Sequence, residues 1–231
     1  DRASKLVAAQ YACLDRQLLP ALAAAGIVLL RREALDDDAR AWLAGYFERE
    51  IEPVLSPLAL DPSRPFPRIQ NKSLNFVVRI EGEDAYGREA TLAIVQAPRS
   101  LPRVVPLPAV EGAPRRFVLL STVIEESVPR LFEGMRVLAC HPFRLTRDSD
   151  LFVDEEEVED LRRALEGELA QRRYGSAVRL EVATDCPRDL VGFLAKHFAV
   201  GEDDIYRVPP PVNLHRLSAL HELAQRPDLK Y

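Results

Sequence analysis

Five prolines fall within the fifteen residues from Pro53 to Pro67: Pro53, Pro57, Pro62, Pro65 and Pro67. Each fixes its own φ and removes a backbone N–H, and each pushes the preceding residue out of helical geometry. The stretch is therefore stiff, extended and poor in backbone donors. Gly is absent from residues 53–72, so a flexible linker does not fit either. We expect a long ordered connection between a helical lead-in, residues 1–52, and a larger unit, residues 53–231.

The lead-in is patterned for helix. Leu6, Ala9, Cys13, Leu14, Leu18, Leu22 and Ala25 recur at helical spacing over residues 4–25. Pro20 lies inside this pattern and should kink or divide the helix, and Gly26 should end it. Ile27 to Leu30 reads as a short strand. Asp36 to Asp38 open a second helix, where carboxylates meet the positive helix end. Ala41, Leu43, Tyr46, Phe47 and Ile51 give that helix its buried side.

Beyond the connection, strand and helix signals are interspersed. Strands are expected at Ser73–Glu81 and Glu89–Gln96, joined through Gly82 and Gly87, and at Arg116–Leu120. In the first, Leu74, Phe76, Val78 and Ile80 alternate with Asn75, Val77 and Arg79. Ser121 is placed to cap a helix running to about Phe132. Met135–Arg147 reads as one or two strands broken near Pro142. Asp154–Arg173 carries the clearest helical stripe, Val158, Leu161, Leu165 and Leu169, with acid-first pairs Glu159–Arg163 and Glu168–Arg172. Val178–Val182, a helix Pro187–Phe198 capped by Asp185, and Ile205–Val208 form a strand–helix–strand unit that closes a sheet. Asn213 caps a final short helix. The predicted class is α/β of the α+β type: a helical lead-in, then a mixed β-sheet with packed helices.

The net charge of −5 argues against a nucleic-acid binder, and Arg excess by itself reflects coding composition. Cys13, Cys140 and Cys186 match no zinc spacing and are expected to be reduced, buried thiols of a cytosolic protein. No apolar run is long enough for a membrane span, and the N-terminus is not patterned as a signal peptide. No initiator Met opens the chain, so we expect a piece of something longer.

The motifs of common catalytic sites are missing. The ten glycines are scattered, and no Gly-Lys-Ser/Thr follows any of them, which excludes a phosphate-cradling loop in its usual form. No Gly-x-Ser-x-Gly elbow occurs. His141, His197, His215 and His221 have no partners at metal-ligand spacing. Cys140 and His141 are neighbours, but on a strand they face opposite ways. The acidic run Asp154–Glu157 is explained by a helix start. The exception is the end of the proline-rich connection, where Arg68, Asn71, Lys72 and Asn75 crowd together. Either the two Asn side chains satisfy a backbone short of partners, or the group meets an anionic chain or a neighbouring domain.

The same segment carries a family resemblance. Pro53-Val54-Leu55-Ser56-Pro57-Leu58-Ala59-Leu60-Asp61-Pro62-Ser63-Arg64-Pro65-Phe66-Pro67-Arg68-Ile69-Gln70-Asn71-Lys72-Ser73-Leu74-Asn75 resembles the start of the middle, or head, domain of polyphosphate kinases. Ser56 stands where that family usually has Thr, and Arg64 where it usually has His. Phe132-Glu133-Gly134-Met135, Phe143-Arg144-Leu145-Thr146-Arg147-Asp148-Ser149-Asp150-Leu151, Arg172-Arg173-Tyr174-Gly175, Val178–Val182, Asp204–Val208 and Arg226–Tyr231 follow in the family's order. Leu19-Pro20-Ala21-Leu22 and Gly26-Ile27 resemble its lead-in.

The resemblance implies a parent enzyme that moves the γ-phosphoryl of ATP onto polyphosphate with Mg²⁺ and a phosphohistidine. In the family, the catalytic histidine and most phosphate-binding arginines lie in the domains after the head. The adenine-contacting asparagine lies in the N-terminal domain, whose core precedes Asp1. No catalytic, cofactor or metal residue is carried over to this chain, and its four histidines match none of the family's catalytic positions. What it implies for this piece is a role in building a homodimer and in packing against the remaining domains, with Pro65–Asn75 facing that junction. An alternative is an independent module holding polyphosphate through Arg68, Lys72, Arg115, Arg116, Arg144 and Arg147, and a third is a pure assembly module.

Overall fold

The computed structural model describes residues 2–61, 65–83, 90–148 and 175–229. The predicted helix Asp154–Arg173, Arg64, and Gly87 of the predicted turn lie outside them.

The lead-in begins with α1 (Arg2–Cys13), passes through one wide π-type turn at Leu14–Leu18, and continues as α2 (Leu19–Ala24). Pro20 sits in the first turn of α2. The helix is therefore modulated rather than broken: the wide turn takes up the carbonyl that the proline ring would strike and the hydrogen bond it cannot make. The same device recurs downstream. α3 (Asp37–Tyr46) runs into a second π-type turn, Phe47–Ile51, immediately before Pro53. Asp36 caps α3, its Oδ1 accepting the Ala39 N–H at 2.7 Å.

Two sheets form. In the smaller, β1 (Ile27–Leu30) pairs in parallel with β6 (Arg115–Leu119), whose other side pairs antiparallel with β5 (Val104–Pro106). The larger has the order β2-β4-β3-β7-β8-β9, built from β2 (Ser56–Ala59), β3 (Leu74–Glu81), β4 (Leu92–Ala97), β7 (Arg136–Arg147), β8 (Ala177–Ala183) and β9 (Ile205–Val208). β9 runs parallel to β8 after the crossover helix α5 (Arg188–Phe198), as the strand–helix–strand pattern predicts. The fold is mixed α/β, with an N-terminal helix and helices interspersed among the two sheets.

The large sheet is covered on both faces. Phe76, Val78 and Val95 pack with Leu43, Phe47 and Ile51 of the lead-in and with Val123 and Ile124 of α4 (Leu120–Ser127). Val77, Ile94, Phe143 and Leu180 pack on the opposite face with Leu190, Leu194 and Phe198 of α5. The alternation along β3 thus sorts its side chains between two cores. A third cluster joins Ile27, Val104 and Phe117 of the small sheet to Leu220 and Ala224 at the short helix α6 (Ala219–Leu223).

Several local expectations are corrected. β2 and β5 are strands within proline-bearing segments, tolerated because both lie on sheet edges. Pro142 does not break β7, which is continuous for twelve residues. β8 pairs with β7 only from Phe143 onward, so Pro142 has β3 on one side and no strand on the other. α4 begins at Leu120, two residues too early for Ser121 to cap it, and ends at Ser127; a 3₁₀ turn, Val128–Leu131, carries the chain on through Pro129. α5 has no side-chain cap; Asp185 instead lies 3.6 Å from His141 Nδ1. Asn213 also makes no capping bond. Cys186 is buried, while Cys13 and Cys140 are partly so, and all three are free thiols.

Candidate functional site

Extended backbone leaves N–H and C=O groups pointing sideways, and a proline-rich stretch cannot satisfy its neighbours with its own donors. Asn71 resolves this at the end of the connection. Its Oδ1 accepts the Arg147 N–H at 2.9 Å and its Nδ2 donates to the Arg147 carbonyl at 3.3 Å. The Arg147 guanidinium returns the contact, donating to the Ile69 carbonyl at 3.1 Å and to the Gly175 carbonyl at 2.8 Å. Arg99 donates to the Asn71 carbonyl. Lys72 adopts the left-handed conformation, φ 57°, and its N–H reaches the Leu145 carbonyl at 2.8 Å. Its side chain is exposed.

Asn75 is fully buried on β3. Its Nδ2 donates to the Ser73 carbonyl at 3.0 Å and to Ser73 Oγ at 3.1 Å, while that hydroxyl donates to the Gln70 carbonyl at 2.8 Å. Arg68 is exposed, and Gln96 Nε2 donates to its carbonyl at 3.2 Å. Of the four predicted residues, Asn71 and Asn75 turn inward to brace the chain, and Arg68 and Lys72 present their side chains to solvent. Upstream, Phe66 stacks on the His197 ring of α5 at 4.5 Å and meets Phe198 edge-on at 5.3 Å. Its aromatic contacts pin the connection to α5.

The six cations of the polyphosphate-module reading are not assembled on one element. Arg115 and Arg116 belong to β6 of the small sheet, Arg144 and Arg147 to β7 of the large one. Most are committed internally. Arg116 pairs with Asp36 at 2.6 Å, and Arg115 donates to the Ala224 carbonyl at 2.9 Å. Arg144 and Arg179 share the buried Glu181, at 2.5 Å and 2.8 Å, and Arg179 also lies over the Tyr206 ring.

His141 is held below the ordinary histidine range chiefly by burial, partly opposed by Asp185. Burial also pushes the Cys140 and Cys186 thiols up, which disfavours the thiolate a nucleophile would need. Among the described residues, no three His, Cys, Asp or Glu side chains come together in a way that would hold a metal ion. No described helix is long and apolar enough to cross a membrane.

Comparison with known proteins agrees with this architecture. The family model for the polyphosphate kinase middle domain matches residues 38–220. The chain is 50% identical over 232 residues to a polyphosphate kinase of Neisseria meningitidis serogroup C (strain 053442), covering 100% of this chain and 34% of that protein. The same identity and coverage relate it to a polyphosphate kinase of Burkholderia multivorans (strain ATCC 17616 / 249). A crystal structure of polyphosphate kinase from Porphyromonas gingivalis superposes with a TM-score of 0.75 over 94% of this chain and 31% of that one, at 23% identity, and so shares the fold. The chain belongs to the polyphosphate kinase family and corresponds to its middle domain. It spans only 34% of the length of the curated relatives named here.

Proposed function

We propose that the chain is the non-catalytic head domain of a cytosolic polyphosphate kinase, residues 53–231 forming the head and residues 1–52 its lead-in. The whole enzyme transfers the γ-phosphoryl of ATP to polyphosphate through a phosphohistidine and uses Mg²⁺, chemistry supplied by its other domains. The head contributes by packing against those domains and by building the homodimer. The observation that carries this reading is the middle-domain match across residues 38–220, on a chain that spans a minor share of its relatives. The braced Pro65–Asn75 segment supports it. A backbone fixed to β7 through Asn71 and to α5 through Phe66 offers Arg68 and Lys72 on a rigid rim suited to a domain junction.

The test is phosphoryl transfer from γ-labelled ATP with Mg²⁺, read as protein-bound label and as polymer. The folded 231-residue chain is expected to give neither. Label bound to His141, His197, His215 or His221 would overturn the reading. Light scattering over a concentration series addresses assembly: a dimer that forms with rising concentration supports the dimerisation role, and a monomer throughout removes it from this domain alone.

A further inference from the structure

A cavity of about 400 Å³ lies where the N-terminal helix, both sheets and α4 converge. That size falls within the range of small-molecule sites. Leu14 and Leu19 form part of its apolar wall, with Leu29 and Leu30 from β1. Ser121, Thr122 and Thr184 contribute hydroxyls. Its charged lining consists of Glu33, Glu125 and Asp185 against Arg31 and Arg32.

Both guanidiniums are already engaged by acids outside that lining. Arg31 pairs with Asp15 at 2.6 Å, and Arg32 with Glu126 at 2.7 Å. Glu126 takes Arg40 as well. Its neighbour Glu125 lines the cavity instead and has no hydrogen bond or ion pair with any described residue. Two adjacent carboxylates on α4 thus have opposite fates: one is doubly paired, the other lines the cavity without a partner. Glu125 is half-buried, and an unpaired carboxyl partly withdrawn from water is costly when ionised. Burial pushes the Glu125 carboxyl up to about 8, with Asp185 and Glu33 adding to the rise and Arg32 opposing it.

We infer that this cavity binds a small aliphatic ammonium compound, its cationic head on the Glu125 carboxyl and its alkyl body against the leucine wall. Anions are disfavoured because both lining guanidiniums are already paired with acids. A neutral molecule of the same shape fills the space but leaves Glu125 without a counter-charge. Binding is coupled to proton release, because the ammonium stabilises the ionised carboxylate and near pH 7 the empty site holds that proton. Affinity therefore rises between about pH 6 and 8. The titratable and charged groups facing Glu125 are Arg32 and Glu33 after β1, Cys140 on β7 and Asp185 after β8.

The test uses 1,4-diaminobutane as probe and 1,4-butanediol as its neutral counterpart, followed by calorimetry in two buffers of different ionisation enthalpy. Saturable one-site binding of the diamine, release of close to one proton, and no saturable binding of the diol are expected. Glu125→Gln, which keeps the size of the side chain, is expected to weaken the diamine at least tenfold and to abolish proton release. Absence of diamine binding, equal binding of the diol, or unchanged affinity in Glu125→Gln overturns the inference. If Glu125→Gln does not fold, the diol comparison and the proton count on the unsubstituted chain decide it by themselves.

Discussion

Asn71 pairs with Arg147 as though its side chain were a strand residue, accepting the N–H and donating to the carbonyl of the same peptide-bearing residue. The amide group has one donor side and one acceptor side at the spacing of a backbone unit, so it extends the ladder of β7 where the connection has no regular strand of its own. Arg147 in turn holds the Ile69 carbonyl. Two residues far apart in sequence thereby fix the register between the proline-rich connection and the middle of the large sheet.

Asn71→Ala removes both bonds and leaves the Arg147 backbone groups partly unsatisfied. A loss of about 1–3 kcal/mol is expected, measured by urea denaturation. Asn71→Asp keeps the acceptor and loses the donor, and should fall between the two. Equal stability of all three proteins would show that the pairing does not brace the fold.

Glu181 is 5% exposed and serves two arginines. Glu181→Gln keeps the shape and leaves Arg144 and Arg179 without a counter-charge. Because the Arg179 side chain is 30% exposed, the cost should be roughly 2 kcal/mol, below that of a fully buried pair. Thermal melts at low and high salt check it, with the loss persisting at high salt because Glu181 is shielded from solvent.

For Glu125, the native carboxyl keeps its proton to about pH 8, whereas an unfolded one releases it near 4.5. Between those values the native state binds more protons, so this group's stabilisation is complete below pH 4.5 and is lost as pH rises through about 8. Glu125→Gln lacks this dependence. It should match the parent near pH 4.5 and melt a few degrees higher at pH 8, for a gain of about 1–2 kcal/mol. Paired melts across that range test this, and the histidine contributions cancel in the difference.

Phe66 and His197 form a further testable pair. Phe66→Leu keeps much of the apolar area and loses the stacked ring. A double-mutant cycle with His197→Ala should yield a coupling of about 0.5–1.5 kcal/mol. A coupling near zero would mean the connection is held at α5 by burial alone.

Much of the architecture was legible in the sequence, and its failures share a cause. β3 and β8 show themselves through apolar content, because each has a strand on both sides and is buried against a core. β2 and β5 were hidden because prolines mark a segment as irregular, yet an edge strand needs partners on one side only. Pro142 misled for the same reason. At the candidate site, Asn71 and Asn75 stood out as polar residues beside a donor-poor backbone. Their partners did not, since Arg147 reaches Asn71 only through the tertiary fold. Glu125 belongs to no motif in the sequence. The only available signal was its place among Leu120, Thr122, Val123, Ile124 and Ser127, all buried on the same short helix.

The parallel pairing of β1 with β6 has a consequence for synthesis. Ile27 waits for Arg115, and Leu30 for Val118. While a ribosome extends the chain through the connection and the first hairpin of the large sheet, the earliest strand has been made but its neighbour has not. A nascent chain stalled before Arg115 therefore leaves the apolar stretch Ile27–Leu30 without its sheet partner until β6 clears the exit tunnel.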